Sequence, residues 1–420
     1  MSKLTFFRQS GWLVIATGLG GIFFLAVHKP ASKMPVEEYG LFTTLLQVLN
    51  QMSIPAVGLQ TIFLQQTAKG ESAEDRRQLA GAVRSVLKGT FVLWVICAAI
   101  VLFFQAHIVR VYDIKNPLAL WATIGLGLTS LWTPVMSGML QGRQDFIWLG
   151  INNILPAITR LLFIIIIVQL LHCEAAGATV AVLISSVMAM LLGAWKTYDL
   201  WSGEPAPFFW KPWLLRVLPL TLGMGASTLM FTFDMIAVRR FLPEGSGLYG
   251  AAGMIGRALM FLVAPMTTVM FPKIVQAAAR AERSDVLAQA LGATALLASG
   301  AALFCTFFGE VPLRVVQGAK FIGAAPLIPW FTWCMLPLTL SNVLVNNLMA
   351  RERYAVVPWL VVVAVGYCST LWFALRYQWF APTHLHVIQT LGIFASLFLL
   401  ICAWFTWKRP AAKTVPASAA

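Results

Sequence analysis

Arg160, Asp234 and Arg257 each stand within a long apolar run, in a chain of which only 11% of residues are charged. An ionised side chain at bilayer depth costs several kcal/mol unless it faces protein or water, so such residues are the first candidates for function. A guanidinium brings a permanent charge, weak hydration and a fixed fork of donors suited to phosphate oxygens. Two arginines at that depth therefore suit an anionic cargo such as a diphosphate, with Arg257 the first candidate and Arg160 the second. The competing role for either is an ion pair with Asp234 that pins helices together. Asp234 cannot easily reach Arg239 or Arg240 on its own helix, because offsets of five and six residues turn them away from it. Three roles stay open for Asp234: partner to an arginine when the site is empty, carrier of a coupling proton, or cap of a polar water pocket.

The elements that must hold these charges follow from composition. The 420 residues are 59% hydrophobic, with a mean hydropathy of +0.79, which places the chain among integral membrane proteins. Twelve apolar runs are long enough to cross a hydrocarbon core of roughly 30 Å as helices. They cover 9–28, 40–66, 86–106, 118–141, 146–171, 175–195, 214–238, 247–271, 286–308, 322–350, 355–375 and 387–407. The first is followed by "HKPASK" without a small-residue cleavage pattern and reads as a span rather than a signal peptide. With the N-terminus inside, inner segments carry 19 of the 30 Lys and Arg and outer loops carry nine, so both termini are expected in the cytoplasm. Trp12, Trp148, Trp195, Trp213 and Trp407 fall near the inner span ends, where an indole reaches the headgroups. On this topology Arg257 lies about 15 Å below the outer surface, near the midplane, and Arg160 at a similar or shallower depth. Arg239 and Arg240 fall near the outer surface and are expected to snorkel. Pro55, Pro134, Pro156, Pro219, Pro265 and Pro337 interrupt spans where helices bend or face water.

Several classes of function are excluded or disfavoured. The net charge of +14 reads as topology and contact with anionic lipid, since no recognition module accompanies it, and nucleic-acid binding is not expected. Five of six cysteines lie in spans and only Cys173 in a turn, which gives neither a disulfide framework nor a metal site. The five histidines fall at outer span ends and read as interfacial residues. There is no phosphate-cradling loop and no nucleophile with a base at working distance, so neither an enzyme nor a cofactor is expected.

Two short matches reveal an internal repeat. "EEYGLF" at 37–42 corresponds to "EGSGLY" at 244–249, and "LQGRQDF" at 140–146 to "LMARERY" at 348–354, with offsets of 207 and 208. Six spans return the chain to the same side, so the halves, 1–203 and 204–420, are expected as two six-helix bundles related by a pseudo-two-fold axis along the membrane normal. The cavity then lies between them. The same offset sets Asn50 opposite Arg257, with Gln47 one turn before it, and these amides could hydrogen-bond sugars or simply join helices.

The run at 234–238, "PEGSGLYGAA" at 243–252, "FPK" at 271–273 and "LQGRQDF" resemble the polysaccharide transporter branch of the multidrug, oligosaccharidyl-lipid and polysaccharide exporter superfamily. With the twelve spans and two halves, the likeness extends over nearly the whole chain. It implies an all-α V-shaped pair of bundles that alternates between inward-open and outward-open forms, with the first, second, seventh and eighth spans lining the cavity. It also implies a polyprenyl-diphosphate-linked oligosaccharide as cargo, moved from the cytoplasmic to the outer leaflet of a bacterial inner membrane by a monomer. A glycan polymerase or assembly machinery would be the partner beyond the membrane lipids. Peptidoglycan-precursor flippases of the superfamily carry two further helices, which are not found here. The rival reading is a cation-coupled multidrug or small-molecule exporter, which should line its cavity with carboxylates; here Asp234 alone faces two arginines. A membrane scaffold or channel would explain the spans but not the buried arginines.

Overall fold

Helix starts are set by short polar side chains just ahead of apolar runs. Ser72 and Asp75 form a reciprocal capping box: the Asp75 amide donates to Ser72 Oγ at 3.1 Å and the Ser72 amide to Asp75 Oδ2 at 3.3 Å. Asp145 and Thr383 accept from the amides of Trp148 and His386 in the same manner. The computed structural model describes residues 3–69, 72–260, 286–351, 353–379 and 383–408, and among them there is no strand.

Thirteen helices carry the architecture of the described residues. In chain order they are α1 (Lys3–Ala26), α2 (Val36–Met52), α3 (Ala56–Lys69) and α4 (Ala73–Phe103). Next come α5 (Leu118–Gly142), α6 (Phe146–Ile164, extended by a π-helical turn over Ile165–Leu170) and α7 (Glu174–Trp201). The rest are α8 (Trp210–Phe241), α9 (246–260), α10 (Val286–Phe307), α11 (Leu327–Ala350), α12 (Val357–Arg376) and α13 (His384–Trp407). Among the described residues ten helices are long and apolar enough to cross a membrane, and the chain is a multi-pass membrane protein.

Of the two remaining stretches expected to span, one departs from a simple helix for an identifiable reason. The stretch 40–66 is broken between α2 and α3 at Ser53–Pro55. Pro55 has no amide to donate, and it pushes Ile54 out of the helical region. Ile54 nests against α8 where Gly225 has no side chain, since a Cβ there would lie 2.5 Å from Ile54 Cγ2. The stretch 247–271 is described as far as residue 260, so Pro265 lies outside the described residues.

Neighbouring helices pack α1 on α6, α3 and α7 on α5, α6 on α7, α8 on α12, and α11 on both α10 and α13. The early and late parts of the chain meet where α8 lies against α2 and α3. The segment before α8 is strapped to α4. Arg84 donates to the carbonyls of Trp201, Ser202 and Gly203 at 2.6–2.8 Å, which neutralises the carbonyl end of α7. The Ala206 amide donates to Arg77 O at 2.9 Å, and Gly81 leaves room for Ala206.

The repeated motifs meet each other at the crossing of α2 and α9. A Cβ on Gly40 would lie 2.7 Å from Ser246 Oγ and 2.8 Å from the Gly247 amide nitrogen, and one on Gly247 would run into the Val36 carbonyl. Three residues further on, a Cβ on Gly250 would lie 2.5 Å from Thr43 Oγ1. Gly40 with Gly247, and Thr43 with Gly250, are equivalent positions at the repeat offset of 207. These glycines are needed for backbone approach. Gly245, just before α9, is needed for conformation, with φ at +79°.

Candidate functional site

A cavity of about 410 Å³ is lined by the C-terminal end of α1 and by α2, α5, α6 and α7 on one side and by α8 and α9 on the other. The break between α2 and α3 contributes Ser53 and Ala56 to its wall. Gln47, Asn50, Arg160 and Arg257 all line it, together with Thr43, Ser130, Ser186 and His28. Asn50 Nδ2 donates to Gln47 Oε1 at 3.1 Å, so the two amides form one polar edge on α2. Among the described residues no carboxylate lines it.

The two arginines differ in what they touch. Arg257 is buried, and its Nη2 lies 2.6 Å from both carboxylate oxygens of Asp234, while its Nε donates to Phe231 O at 2.9 Å. Asp234 is fully buried behind this pair and does not line the cavity; it also accepts from the Tyr249 hydroxyl at 2.6 Å. Arg160 makes no ion pair or hydrogen bond among the described residues. Its Nε is shielded without a partner, and its guanidinium carbon lies 4.7 Å from the centre of the Phe24 ring. The cavity wall therefore holds one neutralised guanidinium and one that is not. Sequence position had ranked Arg257 first; the side-chain geometry gives the uncompensated charge to Arg160.

Next to His28 on the cavity wall, the segments 28–39, 111–117 and 308–326 are fastened to one another and to α8 and α9, and together they are called the lid end. Arg239, expected to snorkel, is instead buried and makes four hydrogen bonds. It donates to Tyr112 O at 3.2 Å, Glu37 O at 3.3 Å, Asp113 O at 3.2 Å and Ser246 Oγ at 3.2 Å. The carbonyls converge because Asp113 adopts φ +48°, a left-handed conformation that aspartate tolerates. Loops from both parts of the chain fold over this arginine, which is why it does not reach solvent.

A second clasp begins at the cavity. His28 Nδ1 hydrogen-bonds Tyr39 Oη at 2.8 Å, and Gln317 Nε2 donates to the same hydroxyl at 3.1 Å and to Ala251 O at 3.2 Å. Phe321 packs on Tyr39 at 4.9 Å between ring centres, Lys29 donates to Arg314 O, and Lys320 donates to Met34 O. Burial lowers the Lys320 ammonium below its usual pKa, whereas a hydrogen bond and the charge of Glu38 raise that of Lys115. His28, Tyr39 and Gln317 were not singled out by the sequence. Tyr39 at least lay in view, inside the repeated motif at 37–42. Among the described residues no group of three or more His, Cys, Asp or Glu is placed to hold a metal ion.

The family model described as "Polysaccharide biosynthesis protein" matches residues 6–278. No curated protein gives a significant match. Among solved structures, an inward-facing multidrug resistance MATE family transporter of the MOP superfamily is similar with a TM-score of 0.71 at 14% identity, over 93% of each chain. Lipid II flippase MurJ in an inward closed conformation gives 0.69 at 13% identity, over 96% of this chain and 87% of that one. A MOP superfamily transporter from Pyrococcus furiosus, described as having a binding pocket of reversed polarity, gives 0.66 at 14%, over 95% and 94%. At these identities the likeness establishes the fold.

Proposed function

The chain belongs to the polysaccharide biosynthesis protein family, within the polysaccharide transporter branch of the MOP superfamily, and on that premise we propose that it flips a polyprenyl-diphosphate-linked oligosaccharide across the membrane. It is a membrane transporter or flippase by family and fold. The observation that carries the finer reading is Arg160: a permanent cation on the wall of a cavity at mid-membrane, without a counter-charge among the described residues. Such a group, facing a cavity and not spent on the fold, is suited to meet an anion that enters. A diphosphate does so, and Gln47 and Asn50 offer hydrogen bonds to the sugars beside it.

In this reading the segments 1–203 and 204–420 act as two six-helix bundles in a twelve-span monomer of a bacterial inner membrane, with both termini in the cytoplasm. The lid end faces outward and is closed, so cargo enters from the cytoplasmic leaflet and leaves after the bundles rock. Glycan polymerase or assembly machinery then takes the cargo from the outer leaflet. A cation-coupled drug exporter is the lesser reading, because among the described residues of the cavity wall no carboxylate is placed to hold a cationic drug and Asp234 is committed behind it.

Proteoliposomes test the proposal. A fluorescent polyprenyl-diphosphate-linked sugar should reach protection from a membrane-impermeant quencher faster with the protein than without, and Arg160→Ala should remove the acceleration. Equal rates with and without protein, alongside transport of a cationic dye, would replace this reading with the exporter.

A further inference from the structure

The cavity accounts for Arg160 and leaves the partner of Arg257 unexplained. Asp234 is fully buried, lies outside the cavity wall, and yet takes two hydrogen bonds from Arg257 and one from Tyr249. The guanidinium is folded back over its own helix. It lies in the space that a Cβ on Gly253 would occupy, with its carbon 5.6 Å from the Phe231 ring centre and 5.5 Å from that of Phe331. Arg257 can retract in this way only because residue 253 has no side chain.

We propose that Asp234 is a positioning residue that docks Arg257 against α8 and holds its charge back from the cavity, so that an anionic cargo must compete with a carboxylate for the second guanidinium. The inference rests on the reading of the cavity as an anion site. Its physical basis is the asymmetry of breaking a buried pair. Drawing Arg257 toward the cargo leaves Asp234 in a dry environment with Tyr249 alone, and part of the cargo's binding free energy is consumed in doing so. A site with two free guanidiniums would hold a diphosphate tightly and release it slowly, whereas transport requires a cargo that can leave. The docked arginine thus sets affinity, and Arg160 sets whether the anion binds at all.

The full chain in detergent, titrated calorimetrically with inorganic pyrophosphate, tests this. Asp234→Asn keeps the shape and an acceptor for Tyr249 but frees Arg257, and is expected to tighten pyrophosphate binding about tenfold. Gly253→Ala should tighten it several-fold, because the new methyl displaces the flexible end of Arg257 rather than backbone. The gain in Asp234→Asn should vanish when Arg257→Ala is added. In proteoliposomes Asp234→Asn should lower both the half-saturating cargo concentration and the maximal rate, a split that mere loss of structure does not produce. Unchanged or weaker pyrophosphate binding in Asp234→Asn and Gly253→Ala overturns the proposal, as does a gain that survives removal of Arg257. An Arg160→Ala chain that binds pyrophosphate as wild type does would instead sink the anion-site reading beneath it.

Discussion

Arg239 and Arg160 are both cations set within the fold, the first buried and the second half-buried on the cavity wall, and their surroundings could hardly differ more. At the lid end, Arg239 is met by three backbone carbonyls and a serine hydroxyl drawn from three separate stretches of chain. On the cavity wall, Arg160 has the face of Phe24 and no hydrogen-bond acceptor among the described residues. A guanidinium whose donors are satisfied by the fold is a fastener. One whose donors are left open awaits something the fold does not supply. Arg239 is buried and Arg160 half-buried, but it is the census of partners that sets their roles apart.

The largest effect that would sharpen this contrast is on Arg160. Its replacement by Ala is expected to lower flipping by roughly a hundredfold at unchanged membrane abundance, with Arg160→Lys recovering part, because Lys keeps the charge and loses the fork. Flipping rates in proteoliposomes measure it. Next comes Arg239→Ala, which strands four acceptors and should cost about 2–4 kcal/mol, read as a lower thermal unfolding temperature. The same change should leave pyrophosphate affinity near wild type while opening Gln47→Cys, in a background lacking the native cysteines, to an impermeant maleimide added from outside. If Arg239→Ala abolished anion binding and Arg160→Ala did not, the comparison would be reversed.

Smaller effects sit at the second clasp and the polar edge. Gln317→Ala removes the donor to Tyr39 and Ala251 and should cost about 1 kcal/mol, with a modest rise in outside labelling of the same cysteine. Asn50→Ala should raise the half-saturating cargo concentration only a few-fold, since Gln47 and neighbouring hydroxyls remain.

The apolar runs made the helical membrane fold legible, because length and hydropathy are summed over some twenty residues and tolerate local exceptions. The break at Ser53–Pro55 was legible only as a proline; where the helix parts depends on Ile54 finding the space at Gly225, a contact across 171 positions of sequence. Arg160 and Arg257 stood out by charge, but which of them is neutralised depends on the rotation of α8 and α9 about their axes and on the absence of a side chain at Gly253. His28 read as an interfacial residue because it ends an apolar run. It stands on the cavity wall instead, held through Tyr39 by Gln317 from a segment of two short helices, Glu310–Val316 and Ala319–Ala324, that nothing near His28 in the sequence announces.

The contact of Gly40 with Gly247 has a mechanical meaning. A point where two backbones touch, at positions matched by the repeat, is a fulcrum, and the rods crossing it have arms of calculable length. Asn50 stands ten residues beyond Gly40 along α2, an arm of about 15 Å. Turning one rod by about 10° at the fulcrum would carry Asn50 sideways by roughly 3 Å, the width of a hydrogen bond, while the touching glycines hardly move. Small angular changes at the crossing are thereby converted into the making or breaking of single polar contacts at the cavity wall.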